Sequence, residues 1–323
     1  MLRVYTKYWV TVGVALGVGL GLWARYYFAQ AHKPTPVEAI GRLQHLPPKL
    51  RRAFTPSGQY RPVPKPNKGD WLAEHPEPGQ TFDSFVKAKY NRPTRPRQTL
   101  VIVPVGPFER GDSPSLSALK EYTEAFFQLP VELRPAVDPK HHRFTTRINS
   151  GSGKPQYLVG DLMALLRKGL RPTTYAAAAV TMTDLYPSAD WNFVFGQASL
   201  RNRVGTYSFA RYDPTFYGKR RGAGFPELLL RRSVRVLNHE TGHMFGLWHC
   251  IFYSCTMNGS NHLAEDDRTP LHLCPVCLRK LFHAVRFDVE KRYEDLERFY
   301  RKYGLYAEYR WVKKRLAFIR NGN

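Results

Sequence analysis

The sequence predicts an α/β (α+β) fold in which helices pack on a mixed β-sheet with an antiparallel edge strand. Three observations support this prediction. Apolar strands alternate with amphipathic helices from Thr99 onward, a long helix carries the pattern HETGH that begins at His239, and all four cysteines of the chain follow that helix. The cysteines predict a small C-terminal subdomain that a bound zinc ion stabilises.

The first elements of the predicted sheet follow one another in the order strand, helix, strand, helix, strand. TLVIVPV is an apolar run typical of a buried strand, and the helical stretch after it begins with serines that can cap it. In chain order the expected elements are a strand at residues 99–105, a helix at 113–129, a strand at 131–137, a helix at 157–170 and a strand at 175–186.

Two short strands complete the predicted sheet. They lie at residues 192–199 and 205–212, and the tight connection between them indicates that they are antiparallel. Pro226 then opens the long helix, because proline fits the first turn of a helix.

The long helix carries a candidate metal site. His239 and His243 are four residues apart, so they project from one face of a helix and can bind the same metal ion. Gly246 ends the helix with a left-handed turn that returns His249 as a third ligand. Three protein ligands leave the fourth tetrahedral position open, as in a catalytic zinc site, and Glu240 is close enough to serve as a base.

The four cysteines form a second candidate site. Four residues separate Cys250 from Cys255, and Cys274 and Cys277 form a CPVC knuckle. Two close pairs separated by a loop match a closed four-thiolate zinc site. Disulfide bonds are the alternative, and they would require an oxidising compartment.

Residues 239–277 resemble the archaemetzincins, a metzincin-like group of zinc metallopeptidases. The family signature is HExxHxxG, a third histidine in most members, CxxxxCxM and a distant CxxC, and each of these has a counterpart in this stretch. Residues 192–200, 205–214 and 258–281 look like the eukaryotic members, and the resemblance spans roughly residues 97–303. It implies a metzincin-like zincin fold.

The resemblance also implies two zinc ions per chain, one catalytic and one structural. Glu240 matches the general base, and Met257 matches the methionine of the tight turn beneath the metal. The catalytic zinc ligands correspond to His239, His243 and His249, and the structural zinc ligands correspond to Cys250, Cys255, Cys274 and Cys277.

These assignments predict a zinc metallopeptidase in which Glu240 assists the attack of a zinc-bound water on a peptide bond. The resemblance implies an aminopeptidase. By the same analogy a peptide or protein substrate adds to the strand at residues 192–199, and an edge strand without a ligand is the alternative. Tyr253 and His262 are candidate donors to the oxyanion, with packing as the alternative role of both.

Two functions of other classes stay open. One is a non-catalytic, zinc-stabilised scaffold tethered to a membrane, although a scaffold has no need of the base Glu240. The other is a basic nucleic-acid binder that uses the cysteines as a zinc knuckle. The chain of 323 residues contains 49 Lys and Arg and 26 Asp and Glu, which gives a formal net charge of +23. The basic residues are spread along the chain without a nucleic-acid-binding signature, so we expect no nucleic-acid partner.

The N-terminus predicts a membrane segment. Residues 1–7 form a basic flank, and the uncharged run at residues 8–24 reaches the lower limit for a bilayer span. We therefore expect a transmembrane anchor at residues 8–28, with a cleaved signal peptide and secretion as the alternative. Three glycines share one helical face and offer a surface for self-association, namely Gly13, Gly17 and Gly21. Charge asymmetry and the thiolate site predict a membrane-anchored enzyme facing a reducing compartment, the cytosol or the mitochondrial matrix.

Two further regions flank the predicted sheet. Residues 34–96 are rich in Pro, Lys and Arg and predict a mostly extended tether, so the metallopeptidase-like domain is expected at residues 97–323. After the cysteines, residues 278–303 and 305–320 predict two helices separated by Gly304. We expect these helices to pack against the domain, and a basic helix lying on a membrane surface is the alternative.

Overall fold

A five-stranded sheet forms the centre of the structure, a computed structural model that describes residues 33–322. Its strands are β1 (Thr99–Val105), β2 (Val131–Leu133), β5 (Thr174–Thr181), β7 (Gly196–Ser199) and β8 (Val204–Ser208). Their spatial order is β2-β1-β5-β8-β7, and every neighbouring pair is parallel except β8 with β7. The predicted mixed sheet with an antiparallel edge strand is therefore confirmed.

Helices cover both faces of this sheet. In chain order the α-helices are α1 (Pro36–Ile40), α2 (Pro48–Phe54), α3 (Trp71–Glu74), α4 (Phe82–Lys87), α5 (Leu116–Phe127), α6 (Val159–Lys168), α7 (Phe225–Met244), α8 (Leu263–Arg268), α9 (Pro275–Val285), α10 (Val289–Lys302) and α11 (Tyr306–Asn321). The predicted helices at residues 113–129 and 157–170 correspond to α5 and α6. The long helix opened by Pro226 corresponds to α7.

Alternate residues of the central strands face two separate hydrophobic cores. Leu100 and Ile102 of β1 belong to the larger core, whereas Val101 and Val103 belong to a second core that includes Leu162 of α6. Successive side chains of a strand point to opposite faces of its sheet, so both faces of the sheet are covered. This double burial explains why β1 is a continuous apolar run in the sequence.

The structure also contains a three-stranded sheet that the sequence pattern does not predict. Its strands are β3 (Thr146–Ile148), β4 (Pro155–Leu158) and β6 (Asp184–Tyr186), in the order β3-β4-β6. The single strand predicted at residues 175–186 is therefore wrong, because this run divides into β5 and β6, which lie in different sheets. Asp184 of β6 is buried in an ion pair with Arg211, with 2.7 Å between Oδ2 and Nη2.

The segment predicted as an extended tether is folded instead. Residues 34–96 contain the four short helices α1 to α4, and apolar side chains of α1, α2 and α4 enter the larger core. Phe54 and Phe85 are almost completely buried there, and Arg315 of α11 donates hydrogen bonds to the carbonyl oxygens at the end of α2. The tether prediction failed because each helix has only four to seven residues, too few for a helical periodicity to stand out against the prolines.

The C-terminal region differs from the prediction in number of helices. Residues 275–321 form three helices, α9, α10 and α11, where the sequence predicted two helices after Cys277. Arg286 adopts a left-handed conformation with φ of 64°, which ends α9, and Asp288 caps the start of α10. Val312, Leu316 and Ile319 of α11 are buried in the larger core, so the expectation that this helix packs against the domain is confirmed.

The predicted localisation requires a correction. Over residues 33–322, none of the helices combines the length and apolar character that crossing a membrane requires. This finding contradicts the predicted membrane-anchored enzyme that faces a reducing compartment. The segment at residues 8–28 and its glycines lie outside the described residues.

Candidate metal centre

Three histidines converge at the C-terminal end of α7. The Nε2 atoms of His239 and His243, one helical turn apart, are separated by 3.1 Å. Gly246, with φ of 85°, reverses the chain directly after α7 and returns His249 to the same place. The candidate ligand nitrogens of the three residues all lie within 4.8 Å of one another. The structure thus brings together the three histidines selected from the sequence.

Each of these histidine rings is oriented by a hydrogen bond at Nδ1. The acceptors are the carbonyl oxygen of Thr256 for His239 at 2.8 Å, the carbonyl oxygen of Leu247 for His243 at 2.6 Å, and Oε1 of Glu77 for His249 at 2.7 Å. An acceptor at Nδ1 places the proton on that nitrogen. The Nε2 atom of each ring is then the unprotonated donor that a metal ion requires.

The surroundings keep the rings of His239 and His243 uncharged. Burial, together with the nearby His249, lowers the pKa of His243 to about 3. Burial and the neighbouring His243 also hold the pKa of His239 well below its usual value. Two unprotonated Nε2 atoms 3.1 Å apart cannot hydrogen-bond each other. Nitrogen ligands of a tetrahedral zinc ion are about 3.3 Å apart, so the histidine cluster fits this ion.

Glu240 follows His239 in α7 and is largely enclosed. Burial raises the pKa of its carboxyl group to about 7, against the opposing effects of His249 and Arg235. Burial raises the pKa of Tyr207, and the negative charge of nearby Glu240 raises it further. A carboxyl group with a pKa near neutrality can both accept and release a proton at physiological pH.

The four cysteines form a second cluster that is buried in the larger core. Their Sγ atoms lie within 4.8 Å of one another, as the sequence spacing predicted. The backbone N–H groups of Met257 and Cys274 point to Sγ of Cys255 at 3.5 Å and 3.3 Å. Such donors stabilise a thiolate, the form of cysteine that binds a metal. The arrangement fits a closed four-thiolate zinc site.

Met257 lies beneath the turn of α7 that carries the two histidines. Its side chain is completely buried, and a methyl group at Gly242 would come within 2.7 Å of its Sδ atom. The carbonyl oxygen of Met257 accepts a hydrogen bond of 2.7 Å from the backbone N–H of Cys250. One residue therefore contacts both the histidine-bearing helix and the cysteine cluster.

The two candidate oxyanion donors have partners of other kinds. Tyr253 packs its ring edge-on against Tyr60, with 6.1 Å between the ring centroids. His262 Nε2 lies 3.1 Å from Oδ1 of Asp70, an oxygen that also accepts a hydrogen bond from Arg268. These contacts favour the packing alternative for both residues.

Sequence reasoning missed the residues that approach the third histidine from the N-terminal segment. Glu77 contacts His249 directly, and the indole N–H of Trp71 donates to the same carboxylate. Gln80 donates a hydrogen bond of 3.0 Å to the carbonyl oxygen of Gly246. The one available signal was a tryptophan, a residue type rarely left unpacked, inside a stretch otherwise rich in Pro and Lys.

Comparison with known proteins yields consistent matches. The family model described as Peptidase family M54 matches residues 173–283. Archaemetzincin-2 of Mus musculus is 35% identical over 275 residues, which cover 76% of this chain and 77% of that protein. Archaemetzincin-2 of Homo sapiens is 37% identical over 279 residues, which cover 77% of each chain. A crystal structure of archaemetzincin from Methanopyrus kandleri is 31% identical, covers 60% of this chain and 99% of that chain, and superimposes with a TM-score of 0.44.

Proposed function

The chain belongs to the archaemetzincins, peptidase family M54, and we propose that it is a zinc-dependent metallopeptidase that acts at the cluster of His239, His243 and His249. The observation that carries this proposal is the convergence of three histidines, each of them fixed by a hydrogen bond at Nδ1. A zinc ion held there supplies a Lewis acid, which lowers the pKa of a water molecule towards neutrality and polarises a carbonyl oxygen.

Glu240 is proposed as the general base. Its carboxylate takes a proton from the attacking water and then passes that proton to the leaving amine. Burial raises the pKa of Glu240 to about 7. A cation held at the three histidines would lower this pKa, so the carboxylate would be ionised and able to accept the proton of the water.

A peptide or protein substrate is proposed to bind along β7. This strand is an edge of the five-stranded sheet, and it packs against α7, the helix that carries the candidate ligands. An extended peptide can continue the sheet there through main-chain hydrogen bonds. The preference for an N-terminal residue, aminopeptidase action, rests on the family resemblance alone.

The four cysteines are proposed to hold a second, structural zinc ion. Their burial and their four convergent sulfur atoms support a closed site without a position for water. Because Cys250 follows His249 directly in the chain, a zinc ion in the cysteine cluster also fixes the loop that carries the third histidine.

The test compares peptide hydrolysis by the full-length wild type and by Glu240→Gln. Internally quenched peptides detect cleavage within a chain, and aminoacyl fluorogenic substrates detect removal of the first residue. We expect Glu240→Gln to keep its zinc and to lose activity by roughly 100- to 10,000-fold, the usual contribution of a general base. Glu227→Gln is the matched control, because Glu227 lies exposed in the first turn of the same helix.

The outcomes separate the candidate functions. Activity of Glu240→Gln equal to that of the Glu227→Gln control would remove Glu240 from the reaction. A zinc-loaded wild type that cleaves neither class of substrate would favour the non-catalytic scaffold.

A further inference from the structure

The segment at residues 71–80 lies against the loop that carries the third histidine. Gln80 contacts this loop twice, because its Nε2 donates to the carbonyl oxygen of Gly246 at 3.0 Å and its Oε1 accepts from the backbone N–H of Trp248 at 3.1 Å. Lys280 of α9 donates to both oxygens of Gln80 and so anchors the segment from the other side. The segment is therefore attached to the same part of the protein as the metal centre.

Glu77 contacts His249, the third candidate metal ligand, directly. Its Oε1 accepts a hydrogen bond of 2.7 Å from Nδ1 of His249, and the same oxygen accepts from the indole N–H of Trp71. The Trp71 ring also contacts the His249 ring edge-on, with 4.8 Å between the ring centroids.

His249 has a greater need of orientation than the other two histidines. The backbone of α7 fixes His239 and His243, whereas His249 lies on a loop after the helix has ended. Its ring is also the one of the three whose Nδ1 faces a carboxylate rather than a backbone carbonyl. A carboxylate partner fixes the tautomer and makes the metal-binding nitrogen more basic.

We propose that Glu77 is a positioning residue of the metal centre, which directs Nε2 of His249 to the ion and strengthens its binding. Trp71 holds the Glu77 carboxylate in place, and Gln80 holds the loop that carries His249. This inference rests on the proposed zinc site. It makes the N-terminal segment part of the metal centre, with no role in the chemistry of the peptide bond itself.

The experiment measures metal binding in the full-length chain. The proteins are the wild type, Glu77→Ala, Glu77→Gln and the matched control Glu74→Gln, whose glutamate is exposed in the same segment and accepts a hydrogen bond from the backbone N–H of Gly69. His243→Ala provides the reference that lacks a complete histidine site. The readouts are the zinc dissociation constant from chelator competition, the visible spectrum after cobalt substitution, and the melting temperature of the metal-free protein.

We expect Glu77→Ala to weaken zinc binding at the histidine site by roughly 10- to 100-fold, the usual effect of losing such a partner. The cobalt bands that are absent from His243→Ala should shift in this variant. Glu77→Gln should recover part of the affinity, because its amide oxygen still accepts the Nδ1–H bond. Glu74→Gln should match the wild type.

Two results would overturn the inference in different ways. If both Glu77 variants keep wild-type zinc affinity and cobalt spectra while their metal-free proteins melt earlier, Glu77 only stabilises the fold and the proposed function survives. If the wild type binds no more metal than His243→Ala, the histidine site itself does not form, and the proposed function fails together with the inference.

Discussion

The Sγ atoms of Cys250 and Cys274 lie 3.5 Å apart in the buried cysteine cluster. A disulfide bond requires about 2.05 Å, whereas two thiolates on one tetrahedral zinc ion are separated by roughly 3.8 Å. The observed separation therefore suits a shared metal ion better than a covalent bond, and it distinguishes the two readings of the cysteine spacing.

This separation predicts how the protein responds to chelators and reductants. We expect a strong zinc chelator to lower the melting temperature substantially, because structural zinc contributes directly to folding free energy. A reductant without metal affinity should leave the melting temperature unchanged. Cys277→Ser should be destabilised already and respond less to the chelator. The opposite pattern, sensitivity to the reductant alone, would mean that the cysteines form disulfides.

Removal of one histidine should separate the two metal ions by stoichiometry. The full-length wild type is expected to hold two zinc ions and His243→Ala one, with the fold retained, because the buried cysteine cluster does not depend on His243. Metal content by mass spectrometry and far-ultraviolet circular dichroism check this result. The control is His141→Ala, an exposed histidine outside both clusters. Equal zinc in wild type and His243→Ala would show that the histidines bind none.

The turn after α7 should tolerate no side chain at Gly246. This residue has φ of 85°, and a methyl group there would come within 2.3 Å of the Tyr90 ring. The left-handed conformation costs about 1–2 kcal/mol for a residue with a Cβ atom, and the overlap with the ring adds to this. We therefore expect Gly246→Ala to lower the free energy of unfolding by about 3 kcal/mol in urea denaturation.

Two further variants separate the causes of this loss. Gly222→Ala, whose added methyl group would meet no atom within 4 Å, should change stability by about 0.5 kcal/mol or less. Adding Tyr90→Ala to Gly246→Ala should relieve the overlap but not the backbone strain. The effects of the two substitutions on the free energy of unfolding should therefore not be additive. A Gly246→Ala variant as stable as the Gly222→Ala control would contradict the steric argument.

His283 should make stability sensitive to acid. Burial, followed by Arg92, Arg286 and Arg279, lowers the pKa of His283 to about 4. In the unfolded chain histidine has a pKa of about 6.5, so between pH 6.5 and pH 4 the unfolded state binds more protons than the folded one. Stability therefore falls as pH decreases through this window and is unaffected by this group above it.

The measurement is the melting temperature at pH 7.5 and pH 5. The decrease on acidification should be smaller in His283→Gln than in the wild type, because the variant has no imidazole to protonate. Exposed His45 provides the control substitution, His45→Gln, which should retain the wild-type decrease. An unchanged decrease in His283→Gln would show that other groups account for the acid sensitivity.

The sequence predicted the metal centre more fully than the rest of the fold, for a physical reason. His239, Glu240, His243 and His249 lie within eleven residues, where helix periodicity and the left-handed turn at Gly246 fix the geometry locally. The convergence of the Cys250/Cys255 pair with the Cys274/Cys277 pair was also predictable, because metal ligands recur at characteristic spacings.

The remaining parts of the site were not predictable because their partners are remote in sequence. Glu77 and His249 are 172 residues apart, and Gln80 and Lys280 are 200 residues apart. No local pattern encodes such pairs. The strands of the second sheet have only three or four residues each, which is too short for an alternation to be recognised.

These remote contacts have a consequence for the newly made chain. Closing a loop of 172 or 200 residues costs chain entropy before the contacts at its ends offset that cost. We therefore expect these contacts to form late in folding. During synthesis, residues 71–80 emerge long before the loop that they hold, and Lys280 must follow before the anchor is complete. The proposed protease would therefore lack a correctly positioned His249 while its own chain and neighbouring chains are still unfolded. It would acquire the complete metal centre only in the last steps of folding.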